Sequence, residues 1–375
     1  MVRDAAGTPS LPETVLALGL VRPRTELRHW MAQQGEPAYR GSQVGEWVFR
    51  HGVTDPLAMT NLPARLRESL RASAWQAQLR VLAVQSDADG TRKAVLALEG
   101  AGHAPARVET VLIPDGDRLT VCVSTQAGCA VGCPFCATGQ VGLQRNLTAA
   151  EIAGQLLWVR AHVGRWPTHV VFMGMGEPMA NWRAVRQSID LIRPPEGFGI
   201  GVRRLTVSTS GVVPGIRALA AEPTLEVNLA ISLHAPDDQL RDRLVPLNRR
   251  WPLSELMDAV RAYVEATRRR VSFEYVMLGG VNDGPLEARR LAALLNGLLC
   301  HVNLIPYNPV SGLPFEPSSP SAVRRFRAIL AEAGIPVTLR RPRGRAIDAA
   351  CGQLGARWER RRLVEVSAGR DGLGE

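Results

Sequence analysis

Lysine is nearly absent from this chain: Lys93 is the only one, and arginine supplies the rest of the 45 basic residues. A GC-rich coding sequence would favour arginine over lysine in this way. It does not account for the excess of basic over acidic residues, a formal charge of +10 and a pI near 10.1. Such an excess points to a polyanionic partner, RNA or DNA. Long apolar runs are also missing, and the opening MVRDAAGTPSLPETVLALGL carries no basic segment followed by a cleavage site. A membrane span and a secretory leader are therefore not expected, and the cytoplasm is the default location. Cysteine is scarce: of six, three fall within eight residues, which is no disulfide framework and suggests metal or redox work. No internal repeat is present. What the chain does have is 375 residues, 46% of them hydrophobic, enough for one large α/β domain and a small accessory unit.

Apolar residues recur at three and four between residue 11 and about residue 75, as in TELRHWMAQQGEPAYRGSQVGEWVFRHG, which predicts a small helical unit. Residues 79–99 and 105–114 read as extended segments around Gly-rich turns. Six short apolar runs then alternate with helical stretches: LTVCVST, HVVFMG, RLTVST, VNLAISL, VSFEYVML and HVNLIPY. Repeated β-α units predict a parallel sheet curled into a full or partial barrel, with its chemistry at the C-terminal ends of the strands. The expected division is a helical accessory domain with a hairpin linker over 1–95, a barrel over 96–355, and a basic tail over 356–375.

GCAVGCPFCATG places Cys129, Cys133 and Cys136 in a Cys-x3-Cys-x2-Cys loop directly after the first barrel strand. Three thiolates hold three irons of a cubane cluster and leave the fourth iron open. An open iron can chelate the amino and carboxylate groups of S-adenosylmethionine (SAM), and one electron then splits the sulfonium to a 5′-deoxyadenosyl radical. A structural zinc would want a fourth protein ligand, and none lies nearby in sequence.

With this loop the chain resembles the radical SAM superfamily. The further motifs GEPAYRGSQVGEWVFRHGV, RVETVLIP, MGMGEP, STSGVVP, ISLHAP, VMLGGVND, NLIPYNP and IDAACGQL resemble the dual-specificity RNA adenine carbon-2 methyltransferases. The resemblance runs over nearly the whole chain. It implies a partial (βα)6 radical SAM barrel with a small N-terminal helical accessory domain, one [4Fe-4S] cluster, and two SAM per turnover. It also implies as substrates 23S ribosomal RNA, before ribosome assembly is complete, and a subset of transfer RNAs. An electron donor such as flavodoxin or ferredoxin is expected.

Residue by residue, the resemblance implies SAM contacts from Gly176 and Glu177, from Ser208, from Ser232, Leu233 and His234, and from Asn308. Carbon 2 of adenine is electron-poor, so direct attack on the SAM methyl would fail, and the family's route passes through a cysteine. Cys351 matches the methyl-carrying cysteine, and Cys122 the one that releases the RNA adduct through a transient disulfide. Glu109 matches the acceptor of the carbon-2 proton. A Cys122 thiolate is the other candidate for that role. Cys300 is expected to be a packing thiol.

Arg24, Arg28, Arg40, Arg50, Arg65, Arg67 and Arg71, with Trp30 and Trp47 interleaved, suit a grip on structured RNA, or else a helical cap whose tryptophans are core. Three other functions share parts of the pattern. An adenine carbon-8 methyltransferase of the antibiotic-resistance type shares the cluster and both cysteines. A glycyl-radical activase shares the cysteine loop alone. An iron–sulfur RNA-binding factor would use the cluster as a redox sensor.

Overall fold

The computed structural model describes residues 16–17, 24–72, 78–99 and 104–355. The expected basic tail lies outside these residues, as does the Arg24 side chain.

Helices α1 (Arg24–Gln33), α2 (Tyr39–Glu46) and α3 (Ala64–Ala72) form the N-terminal unit. Leu27, Met31, Val44, Val48, Leu66 and Leu70, spaced four apart within their segments, bury its core. Gly41 lets α2 cross α1 closely: a Cβ there would lie 2.7 Å from the backbone of Leu27 and Arg28. Trp30 and Trp47 are half-buried against this core, and Trp47 Nε1 donates to Asn61 Oδ1 at 2.7 Å. Both tryptophans pack, as a helical cap requires. Arg50 and Arg65 are exposed and pair with Glu46 and Glu36.

Among the described residues eleven strands follow one another across a single sheet in chain order: β1 (Leu16–Ala17), β2 (Gln78–Ser86), β3 (Arg92–Glu99), β4 (Ala106–Asp115), β5 (Arg118–Cys122), β6 (His169–Phe172), β7 (Leu205–Thr209), β8 (Asn228–Ser232), β9 (Val271–Met277), β10 (Cys300–Pro306) and β11 (Val337–Leu339). Pairing is antiparallel from β1 to β5 and parallel from β5 to β11. The six expected barrel strands are β5 to β10. The short β11 is a seventh parallel strand that the apolar pattern did not reveal, because only three residues pair and two of them are exposed. The hairpin strands are continuous with the barrel: residue 95, the expected boundary, sits mid-strand in β3, opposite Glu109.

The parallel strands are joined by α5 (Ala149–Val163), α6 (Trp182–Ile192), α7 (Val213–Ala220), α8 (Asp238–Leu244), α9 (Leu253–Thr267), α10 (Pro285–Leu295) and α11 (Pro320–Glu332); the five-residue α4 (Ala137–Val141) lies ahead of them in the cysteine loop region. α5 begins on a capping box between Thr148 and Glu151, and Glu151 takes both arms of Arg145 at 2.7 and 2.9 Å. Fully buried β-branched and aromatic residues such as Val170, Val207, Ile231, Phe273 and Val302 make up the strands. Cys300 is buried at the start of β10, where a packing thiol belongs. Among the described residues no helix is long and apolar enough to cross a membrane.

Candidate active site

The loops after β5 and β6 are shaped by glycines at positions closed to other residues. Gly128 has φ +76°, and a Cβ there would run into the Gly142 carbonyl. Gly176 has φ +101°, and its Cβ would lie 2.5 Å from the Gln126 side chain. Between them Cys129 donates its backbone N–H to Gly142 at 3.1 Å, and Cys136 to the Cys133 carbonyl at 3.1 Å. Cys129, Cys133 and Cys136 are half-buried and face one cavity of about 170 Å³ at the C-terminal ends of the parallel strands. Burial pushes all three thiols up, Cys129 to about 12. Thiols so disfavoured as free thiolates need a cationic partner to ionise.

Among the described residues no three His, Cys, Asp or Glu side chains converge tightly enough to hold a single metal ion. A cubane asks for something else, one thiolate on each of three irons around a shared opening, and the three cysteines fit that donor set. Two buried polar atoms at the same end, Tyr307 Oη and Asn308 Oδ1, have no hydrogen-bond partner. They fit a site completed by a polar small molecule.

Glu177 is buried at the end of β6, one oxygen taking the Met179 N–H at 3.0 Å and the other the Ser210 N–H at 2.7 Å. Its own N–H donates to Gln126 Oε1 at 2.8 Å, which fixes the MGMGEP turn on the cysteine loop. Burial raises its carboxyl above the usual range, against those hydrogen bonds. Ser208 and Ser232 line the same cavity with hydroxyls 3.4 Å apart on adjacent strands. His234 has φ +61°, a strained conformation for a residue with a side chain. Its Nδ1 accepts the Val276 N–H at 3.1 Å, so Nε2 carries the proton, and burial depresses its pKa to about 3. The ring stays neutral and stands edge-on to Phe135, between two of the cluster cysteines, at 5.1 Å.

Sequence reasoning missed Arg241. It is fully buried and donates to the carbonyls of Leu233 (3.1 Å), Ser210 (2.5 Å) and Ser232 (3.3 Å), and to Asn248 Oδ1 at 2.8 Å. One guanidinium thus ties the STSG and SLHAP loops together beneath the cavity. Burial lowers its pKa only to about 10, so its charge persists at neutral pH. Leu233 is in the core, and its side chain does not reach the cavity. Asn308 follows cavity-lining Tyr307 without lining the cavity itself.

Cys122, the last residue of β5, and Cys351, beyond β11, line the cavity of the cluster cysteines. Burial pushes the Cys122 thiol up to about 12, with Cys351 adding to the effect. Two further residues here were missed: Glu274 on β9, its carboxylate met by Asn303 Nδ2 at 3.2 Å, and Arg340, just past β11. The acid in the otherwise apolar VSFEYVM was a readable signal. Arg340 was not, since β11 has no strand signature.

Glu109 is set apart from the thiols. It lines a neighbouring cavity of about 400 Å³ built on β2, β3 and β4. Burial raises its carboxyl to about 7 against the lowering influence of Lys93, whose Nζ lies 3.4 Å away. The segment 349–355 lines both cavities, Cys351 one and Gly355 the other. It is pinned to the cysteine loop where Ala137 N–H donates to Gly352 at 2.7 Å and Thr138 Oγ1 to Leu354.

A barrel of parallel strands with three cysteines at its mouth, beside a Gly-Glu turn and polar strand ends, defines a radical SAM protein. The family model of the radical SAM superfamily matches residues 123–292, and that of the ribosomal RNA large subunit methyltransferase N-terminal domain matches 19–75. A radical SAM methyltransferase from Sphaerobacter thermophilus, known from a crystal structure, superposes with a TM-score of 0.85 at 48% identity, over 89% of this chain and 98% of that one. The chain is 47% identical to a probable dual-specificity RNA methyltransferase RlmN of Symbiobacterium thermophilum, covering 90% of this chain and 91% of its relative. It is 46% identical to the dual-specificity RNA methyltransferase RlmN of Marinobacter nauticus, covering 93% and 95%. The chain belongs to the RlmN family of radical SAM RNA methyltransferases.

Proposed function

We propose that this protein methylates carbon 2 of adenine in 23S ribosomal RNA and in a subset of transfer RNAs, carrying the methyl group on Cys351. The observation that carries the reading is that Cys122 and Cys351 line one cavity with Cys129, Cys133 and Cys136. A glycyl-radical activase or a redox-sensing RNA binder has no use for that second pair of thiols.

One [4Fe-4S] cluster on the three cysteines, with two SAM per turnover and an electron from a flavodoxin or ferredoxin, supplies the methyl group and the radical chemistry. Gly176, Glu177, Ser208, Ser232, His234 and Asn308 hold SAM; Leu233 contributes only through its backbone. Cys351 accepts the methyl group and presents it to the ring. Glu109 takes the carbon-2 proton; burial raises its carboxyl to about 7 and the Cys122 thiol to about 12, which favours Glu109 for the role at neutral pH. Cys122 then attacks the Cys351 sulfur; the sulfur–carbon bond breaks, its electron pair and the Cys122 thiol proton pass to the methylene carbon, which becomes the methyl group of the released base, and a Cys122–Cys351 disulfide remains for an external reductant. Because segment 349–355 lines both cavities, an adenine lodged there has the thiols on one side and Glu109 on the other. The helical unit, continuous with the 1–95 segment, grips the RNA while the base is turned out.

The test is anaerobic incubation of cluster-reconstituted protein with reductant, SAM and a 23S RNA fragment, followed by nucleoside mass spectrometry. 2-Methyladenosine together with 5′-deoxyadenosine is expected. 8-Methyladenosine alone, or RNA binding without SAM cleavage, would overturn the reading.

A further inference from the structure

The only lysine of the chain is buried at the proton acceptor. Lys93 and Glu109 lie on adjacent antiparallel strands, with Lys93 opposite Val111 and Glu109 opposite Val95, so they are diagonal neighbours within reach of a long side chain. The Lys93 side chain is only 6% exposed. Its Nζ is 3.4 Å from Glu109 Oε1 and donates to the Asp348 carbonyl at 3.1 Å. The other Glu109 oxygen accepts the Gly355 N–H at 3.2 Å. One ion pair therefore holds both ends of the segment that carries Cys351, Asp348 on the lysine and Gly355 on the glutamate. The approach to that segment is held from the same hairpin, where Asp89 Oδ2 accepts Gly344 N–H and Asp87 Oδ2 accepts Ala346 N–H, both at 3.1 Å.

We propose that Lys93 is the positioning residue of the proton-transfer step: it keeps Glu109 ionised as acceptor and fixes the Cys351 segment that lines both cavities. The inference rests on the reading of Glu109 given above. In that step the carbon–hydrogen bond at the ring carbon breaks, the proton passes to a Glu109 oxygen, and the electron pair stays in the ring. An oxidised iron–sulfur cluster held on Cys129, Cys133 and Cys136 would supply the acceptor for the one electron whose loss completes the product. An ammonium is a compact cation with three rotatable donors, suited to a carboxylate and a carbonyl in a closed site; the flat guanidinium fork is not. This gives a physical reason for a lysine here when every other such position is arginine. The other charged groups facing Glu109 are the Asp348 side chain from the Cys351 segment, and Arg80, Glu99 and Arg107, which line its cavity from β2, β3 and β4.

The experiment compares wild type, K93M, K93R and E109Q as cluster-reconstituted protein, reading RNA methylation against pH, S-methylation of Cys351 by mass spectrometry, and hydrogen exchange over 348–355. For K93M the proposal requires Cys351 methylation to persist and RNA product to fall about tenfold or more at pH 7. The rising pH limb should move up by a unit or more, because each unit costs tenfold in ionised carboxylate, and exchange over 348–355 should accelerate. K93R should fold, restore less than half of the lost rate, and keep a displaced limb. A K93M or K93R enzyme with the wild-type pH limb and wild-type exchange overturns the proposal, and if K93M fails to fold K93R alone decides. If wild type makes no methylated adenine, the functional reading fails, while unchanged exchange in the variants would separately sink the role of Lys93.

Discussion

The two cavities lined by segment 349–355 are built from opposite chemistry. One is closed by parallel strand ends and holds five thiols above a buried arginine; the other opens on antiparallel strands and holds a carboxylate beside the one lysine. In the first, burial pushes the Cys122, Cys129, Cys133 and Cys136 thiols up. In the second, burial brings a carboxyl to about 7, where it can both take and release a proton at neutral pH. The difference teaches that the thiols and the carboxylate are kept in separate surroundings, with segment 349–355 contributing Cys351 to one cavity and Gly355 to the other.

The comparison breaks most completely at Cys351 itself. Cys351→Ala should abolish RNA methylation to below a thousandth of wild type, while iron content and the cluster's absorbance stay at wild-type levels. Glu109→Gln removes the acceptor from the other side and should slow methylation by about 10²- to 10⁴-fold, with Cys351 still becoming methylated on SAM alone.

The pH dependence sharpens the contrast. Methylation should rise as pH rises through about 7, where Glu109 ionises, and E109Q should lose that limb. Stability runs the other way. Because the folded-state pKa of Glu109 is raised above its ordinary value of 4.5, its contribution is fully present below 4.5 and lost as pH rises through about 7. Urea unfolding of wild type against E109Q at pH 5 and pH 8 reads that sign.

Arg241→Met strips the buried guanidinium from four acceptors on the thiol side and should cost about 3–5 kcal/mol by denaturant unfolding, with no change in the Glu109 pH limb. The smallest effect belongs to the surface. Arg65→Ala loses an exposed ion pair with Glu36 and should change stability by less than about 1 kcal/mol. If the helical unit grips RNA, the same variant weakens RNA binding and flattens its salt dependence.

Much of the fold was legible because its signals are local. The β5–β10 strands are short apolar runs, and the helical unit shows its period at Leu27, Met31, Leu66 and Leu70. The cysteine loop was legible because metal-ligand spacing is written in consecutive residues. Arg241 and Arg340 were not: in a chain with this many arginines nothing local separates a buried one from a solvated one. Lys93 stood out by composition, yet its partner is on the next strand, and only the register of β3 on β4 brings them together. The boundary near residue 95 was hidden for a related reason, since a sheet can pass from antiparallel to parallel pairing without any change in the strands' own sequence.

By itself, the sequence determined the class of chemistry, because three thiols at fixed spacing after a barrel strand, with Cys122 and Cys351 elsewhere, are properties of residue type and order. Tertiary structure alone decided that Glu109 and the thiols occupy separate cavities, that a neutral His234 stands against the cysteine loop, and that one ion pair holds the Cys351 segment at both ends. Those are contacts between residues 16 to 255 positions apart, set by strand register and burial, and local pattern carries no record of them.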